Sequence, residues 1–265
     1  MEPTDYQSHG PLSNPGPHGA SLPPFPGGAP ELARTLQGLL MHDAALALYE
    51  LEAAAFAQFS RQTLSVDARL DQFRGGGGHL DLSARPPAER MIGTCRDYAL
   101  LLTGLLRHQG TAARVRCGFA AYFTAGRFDD HWICEVWEDT RWRRVDAQLD
   151  DRHLAHYAIS FDPTDLPDGQ FLTAGEAWQA MRAGRYKASL FNAGAAYSGE
   201  WLMAVNLARD CLALRKQETS DWDRWREAPD AARTLSAERL AWADRLAASP
   251  GDADLPGRPF WLVEA

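Results

Sequence analysis

The sequence predicts an α+β fold in which a capped helix packs on an antiparallel sheet and additional helices follow. Three observations predict it. A helical apolar pattern starts at Cys95, directly behind a capping signal. From Ala113 the apolar period shortens to that of strands, and from about Leu154 helical spacing returns. A hydrophobic content of 45% with nine Trp in 265 residues is that of a well-buried globular chain.

Residues 1–30 are rich in Pro, Gly, Ser and His without apolar periodicity, and read as a disordered tail. Order is expected from Pro30-Glu31, as a helix through Leu39, Leu40, Ala44, Ala45, Leu48 and Leu51, with Phe56 and Phe59 extending its stripe. Gly75 to Gly78 interrupt the pattern. No Lys-Ser or Lys-Thr follows them, so they read as a flexible loop and not as a phosphate cradle.

Thr94 can cap the next helix, and Asp97 three residues on completes a capping box, which makes Asp97 a cap before it is an acid catalyst. Tyr98, Leu101, Leu102, Leu105 and Leu106 form the apolar face, and Gly110 supplies the stop. Ala113, Val115, Cys117 and Phe119 then alternate with Arg114 and Arg116 as in a half-buried strand. A turn at Ala125-Gly126 leads to a strand over 131–137, Glu138-Asp139 reads as a tight turn, and 142–147 returns. Helical spacing recurs over 174–184, 200–216 and 231–248, with Pro163, Pro167, Pro250 and Pro256 between segments. The expected organisation is a tail over 1–30 and a single domain over 31–265, its catalytic core at about 90–150 and a helical extension from about 155.

The net charge of −8 argues against a nucleic-acid partner, which would need clustered cations. The cations are almost all Arg; Lys187 and Lys216 are the only lysines. No apolar stretch is long enough to span a bilayer, and no basic region with an apolar core opens the chain, so neither a membrane nor a secretory signal is expected. Cys95, Cys117, Cys134 and Cys211 are too far apart for a CxxC pair, which fits a reduced, cytoplasmic protein. No cofactor and no metal are expected. A zinc site from Cys95, Cys117, His131 and Cys134 is disfavoured because His131 and Cys134, three apart on a strand, face opposite ways.

A thiol in the first turn of a helix meets unpaired backbone N–H groups and the positive end of the helix dipole, both of which favour thiolate. A thiolate nucleophile works with an imidazole, and the imidazole with an acceptor that fixes its tautomer. His131 and Asp146 can be those groups. With a two-residue turn at Glu138-Asp139 they would be directly opposite, with Cβ atoms roughly 4.5–5.5 Å apart. Cys117, Cys134 and Cys211 read as buried, inert thiols.

Gly93-Thr94-Cys95-Arg96-Asp97-Tyr98-Ala99-Leu100-Leu101-Leu102, Gly110-Thr111-Ala112-Ala113-Arg114-Val115, His131-Trp132-Ile133-Cys134-Glu135-Val136-Trp137 and Trp142-Arg143-Arg144-Val145-Asp146 together resemble the transglutaminase-like superfamily. The resemblance covers about residues 90–150 and implies a papain-related fold, with the nucleophile on a helix and its partners on strands. It implies Cys95 as nucleophile, His131 as general base and acid, and Asp146 as the orienting acid. The C-terminal half, with Trp222-Asp223-Arg224-Trp225, resembles uncharacterised bacterial members. The first Trp is Trp132, so the upstream oxyanion-hole Trp of many relatives has no counterpart, and the candidates for the second donor are Gln72 and His79.

The reaction so implied is acyl transfer or hydrolysis on a small-molecule or peptide amide through a Cys95 thioester. The alternative is a non-catalytic interaction domain, with Trp201, Trp222, Trp225 and Trp242 as a partner surface and not as core. Arg96, Arg114, Arg116 and Arg144 could bind a substrate carboxylate or pair with local acids.

Overall fold

Leu32, Ala33, Leu36 and Leu39 recur at helical spacing and form the buried face of α1 (Gly28–Leu39). The apolar spacing continues beyond Leu39, but the helix does not. Leu40 is extended (φ −109°, ψ 151°) and opens β1 (Leu40–His42), which pairs in parallel with Met91–Gly93. The backbone thus finds its partners laterally, and His42 Nδ1 accepts from the Ala44 amide at 3.0 Å to start a 3-10 helix over Asp43–Tyr49. Leu40 and Ala45 are buried, Leu48 and Leu51 half-buried and Ala44 exposed, so the spacing reports burial in part and helix length incorrectly.

The computed structural model describes residues 2–56, 63–74, 78–219 and 224–251. Phe59, Gly75 to Gly77, Trp222-Asp223 and Pro256 lie outside the described residues. The chain divides into two compact units, Met1–Val115 with Ile133–Leu166, and Arg116–Trp132 with Pro167–Ala265.

In the first unit the segment read as a disordered tail is structured. It forms 3-10 helices at Pro3–Gln7 and Gly16–Ser21 and buries Tyr6, Ser13, His18 and Phe25. Its anchors are single residues and not a periodic stripe. Ser13 Oγ accepts from Arg107 Nη1 at 2.9 Å, Leu12 O accepts from the Val66 amide at 2.8 Å, and Tyr6 meets Trp142 edge-on at 5.4 Å. Next come α2 (Val66–Gln72), capped by Ser65, and β2 (Met91–Gly93), the partner of β1.

The central element is α3 (Cys95–His108). Leu100, Leu101, Leu102, Leu105 and Leu106 are all buried, each contributing about 1.5–3 kcal/mol of transfer free energy. Polar side chains are buried as well and find partners: Thr103 Oγ1 donates to Cys134 Sγ at 3.1 Å and Arg107 Nε to Ala113 O at 2.8 Å. The Thr103 contact seats the helix on the sheet, as the sequence pattern predicts.

The sheet is built from β3 (Ala113–Ala120), β4 (Phe128–Glu138) and β5 (Arg141–Val145), followed by α4 (Asp151–His156). Residues of β3 and β4 belong to both units. In the first unit β5 pairs with β4, Glu135 with Arg144, Trp137 with Trp142, and Glu138 with Arg141. The turn is therefore Asp139-Thr140, one residue later than Glu138-Asp139. Both residues have positive φ (50° and 62°), as a two-residue type I′ turn requires.

In the second unit β6 (Phe171–Thr173) pairs antiparallel with β3, and α5 (Ala174–Arg182) follows. β7 (Phe191–Ala193) joins β4 in parallel, and β8 (Tyr197–Ser198) joins β7. The sheet order is β6-β3-β4-β7-β8, with β5 on β4. α6 (Glu200–Leu214) and α7 (Ala237–Ala248) complete the described elements, so the three expected C-terminal helices form. Trp178, Trp201 and Trp225 are buried in this unit's core with Phe119 and Leu202, and Trp242 packs against it.

Buried polar groups tie α6 to the strands. Arg116 binds Asp210 through Nε (2.9 Å) and Nη2 (2.8 Å), the Cys117 amide donates to Asp210 Oδ1 at 2.9 Å, and Asn206 Nδ2 donates to Asp130 Oδ1 at 2.8 Å. Among the described residues no helix is long and apolar enough to cross a membrane.

Candidate active site

Cys95 is the first residue of α3, and Thr94 is its extended N-cap. The Thr94 amide donates to Asp97 Oδ2 at 2.8 Å, the return half of a capping box. Asp97 is buried and also faces two buried guanidiniums, Arg69 Nη2 at 3.3 Å and Arg96 Nη1 at 3.6 Å. Its carboxylate holds the start of the helix, in agreement with the reading of Asp97 as a cap.

None of the four cysteines is in a disulfide, and Cys95 alone among them is partly exposed. Burial pushes the Cys134 and Cys211 thiols up to about 12 each. Those two thiols are protonated at neutral pH.

Asp146 follows the last residue of β5 and is buried. Its amide donates to Pro163 O at 2.8 Å, and its Oδ1 accepts from the Gln148 amide at 3.0 Å. The first contact fixes the Asp146 backbone and the second its carboxylate. His131 lies on β4, buried edge-on against the rings of Tyr122 (6.0 Å) and Phe123 (5.0 Å). Cys95 and Asp146 belong to the first unit and His131 to the second. The ladder ends at Cys134 with Val145, so in this register the position across from Asp146 is that of Ile133 and not, as the earlier turn implied, that of His131.

The candidates for a second oxyanion donor find other settings. Gln72 Nε2 donates to Thr63 Oγ1 and its Oε1 accepts from Arg69 Nη1, both at 2.8 Å, so its amide is committed to structure. His79 is exposed. The arginines are likewise matched with acids: Arg114 Nη2 with Glu135 at 2.7 Å, Arg144 Nε with Glu135 at 3.4 Å, Arg116 with Asp210, and Arg96 with Asp97.

A partly buried His–carboxylate pair escaped the sequence reading. Asp150 caps α4, accepting from the Arg152 and His153 amides, and its Oδ1 stands 2.7 Å from His153 Nδ1 while Tyr49 bonds its Oδ2. Burial works to raise the Asp150 pKa, but the bonds from His153 and Tyr49 prevail and hold it at about 2. Tyr49 is pushed upward by its own burial and by Asp150. The available signal was a capping Asp three residues before a His.

Residues 49–147 match the model of the transglutaminase-like superfamily, a span that includes Cys95, His131 and Asp146. Within its described residues the matched span comprises α2, β2, α3, β3, β4 and β5. The superfamily is typically one of cysteine enzymes. No curated protein matches the chain. Among solved structures it is similar to a candidate cysteine protease from Cytophaga hutchinsonii, at 21% identity and a TM-score of 0.20. That likeness covers 44% of this chain and 42% of the other, less than half of either.

Proposed function

We propose that the chain is a cysteine-dependent enzyme that transfers or hydrolyses the acyl group of a small-molecule or peptide amide through a thioester at Cys95. The observation that carries this reading is the position of Cys95: partly exposed, first in a capped and otherwise buried helix, inside a transglutaminase-like core. There the backbone N–H groups and the helix dipole favour a thiolate.

The Cys95 sulfur attacks the amide carbon, the C–N bond breaks, and His131 gives its proton to the departing amine. Water or a second amine then attacks the thioester, His131 takes its proton, and the Cys95 sulfur leaves. Asp146 orients the imidazole and balances its charge. The Cys95 amide is one donor to the tetrahedral oxyanion. A reducing, cytoplasmic setting is consistent with four cysteines that form no disulfide.

Iodoacetamide labelling followed by peptide mass spectrometry tests the reading. At neutral pH Cys95 should react at least about tenfold faster than Cys117, Cys134 and Cys211, and His131→Ala should slow only that reaction. Equal labelling of all four in the folded protein would overturn it. Incubation with a panel of amides should add the acyl mass to Cys95, and not to Cys95→Ala.

A further inference from the structure

Among the described residues, His18, Asp67 and Asp71 bring three ligand atoms within 4.8 Å of one another, far along the chain from Cys95. His18 belongs to the 3-10 helix Gly16–Ser21 and is 5% exposed, while Asp67 and Asp71 stand one turn apart on α2 with partly open carboxylates. His18 Nε2 is 3.5 Å from Asp67 Oδ1 and 3.1 Å from Asp71 Oδ1. Yet this buried nitrogen makes a hydrogen bond to neither. The distances are those of an ion pair. A buried nitrogen aimed between two carboxylates without bonding either calls for a third body.

We propose that His18 Nε2, Asp67 and Asp71 bind a divalent transition-metal ion of the zinc class. Metal–ligand bonds of about 2.0–2.2 Å at a tetrahedral centre leave neighbouring ligand atoms roughly 3.3–3.6 Å apart, so the two N···O separations are close to coordination edges. Two carboxylates and a neutral imidazole offset a charge of 2+, and a mixed nitrogen–oxygen set suits zinc or cobalt better than calcium. The exposed side of the carboxylates gives an entry path and a place for water as further ligand. Arg74 Nε, 3.1 Å from Asp71 Oδ1 and itself exposed, competes for one ligand oxygen and must yield to the ion. Gly16 keeps the space open: a methyl group there would meet Asp67 Oδ1 at 2.7 Å. Bound in this way, the ion would staple the N-terminal segment to α2.

The full chain, stripped of metal, is titrated with Co2+ and then with Zn2+. The expected result is one ion per chain, visible ligand-field bands without a thiolate charge-transfer band, and a rise in Tm with zinc. His18→Gln and Asp71→Asn should each weaken binding at least about tenfold and abolish the Tm rise, while Arg74→Ala should tighten it. Asp71 is exposed, so its variant reports even where His18→Gln fails to fold. Failure to bind Co2+, a thiolate-dominated spectrum, or unchanged affinity in Asp71→Asn would overturn the proposal.

Discussion

At Gly118 a methyl group would meet Leu172 O at 2.1 Å and the Phe171 ring at 2.7 Å, because the paired strand β6 lies close against that position of β3, Gly118 opposite Thr173. The obstacle is backbone, which cannot rotate away. Gly118→Ala should therefore cost about 3 kcal/mol, the upper end of overpacking penalties, measured as a shift in the urea midpoint. A loss under about 0.5 kcal/mol would show that the strand pairing differs. Two positions upstream, Arg116→Ala leaves Asp210 buried without its bidentate partner and should cost about 3–5 kcal/mol. Arg116→Ala together with Asp210→Ala should cost less than the single change, since no uncompensated charge is left; a double variant no better than the single would contradict the ion-pair account. Neither partner was identifiable from sequence. Arg116 reads as the exposed half of an alternating strand, and its partner Asp210 stands on α6, 94 residues on. Asp97, by contrast, was legible as a cap because its partner is three residues away.

The elements were legible where their signals are local. α3 carries a cap, an apolar run and a terminal Gly110 within seventeen residues, and β3, β4 and β5 follow with a clear change of period. β6, β7 and β8 have three residues or fewer, too few for alternation to show. The β4–β5 register was missed because Glu138-Asp139 and Asp139-Thr140 are both plausible by composition, and neither includes the Gly that marks a type I′ turn. The structure makes the two readings separable. Thr140 is a β-branched residue held at φ 62°, a conformation it resists. Thr140→Gly should stabilise the protein by roughly 0.5–1 kcal/mol, the relief of strain less the greater chain entropy lost by Gly. With the turn one residue earlier, Thr140 would be a strand residue and the same change would destabilise. The sign of the Tm shift decides between the registers.

Across the whole molecule, the division into two units has no sequence marker at two of its three boundaries, because β3 and β4 pass through them without a linker; only Pro167 punctuates the third. The buried N-terminal segment was equally hidden, since single anchors such as Tyr6 and Ser13 leave no periodic trace. Charge was easier to read, but only as a sum. A net charge of −8 says that protonation governs stability in acid without saying which acid matters. The geometry singles out Asp150, which joins Tyr49 to His153 and caps α4. Its folded pKa of about 2 lies below the ordinary carboxylate value, so its contribution to stability is present above about pH 4 and is lost as pH falls through about 2. Asp150→Asn keeps an oxygen that can cap the helix and removes the charge. The variant should be less stable than the parent at pH 6, and the gap should close progressively between about pH 4 and pH 2, leaving only any difference in capping. Urea unfolding of both proteins across that range measures it; parallel stability curves from pH 6 to pH 2 would show that the ionised carboxylate is not what holds Tyr49, His153 and α4 together.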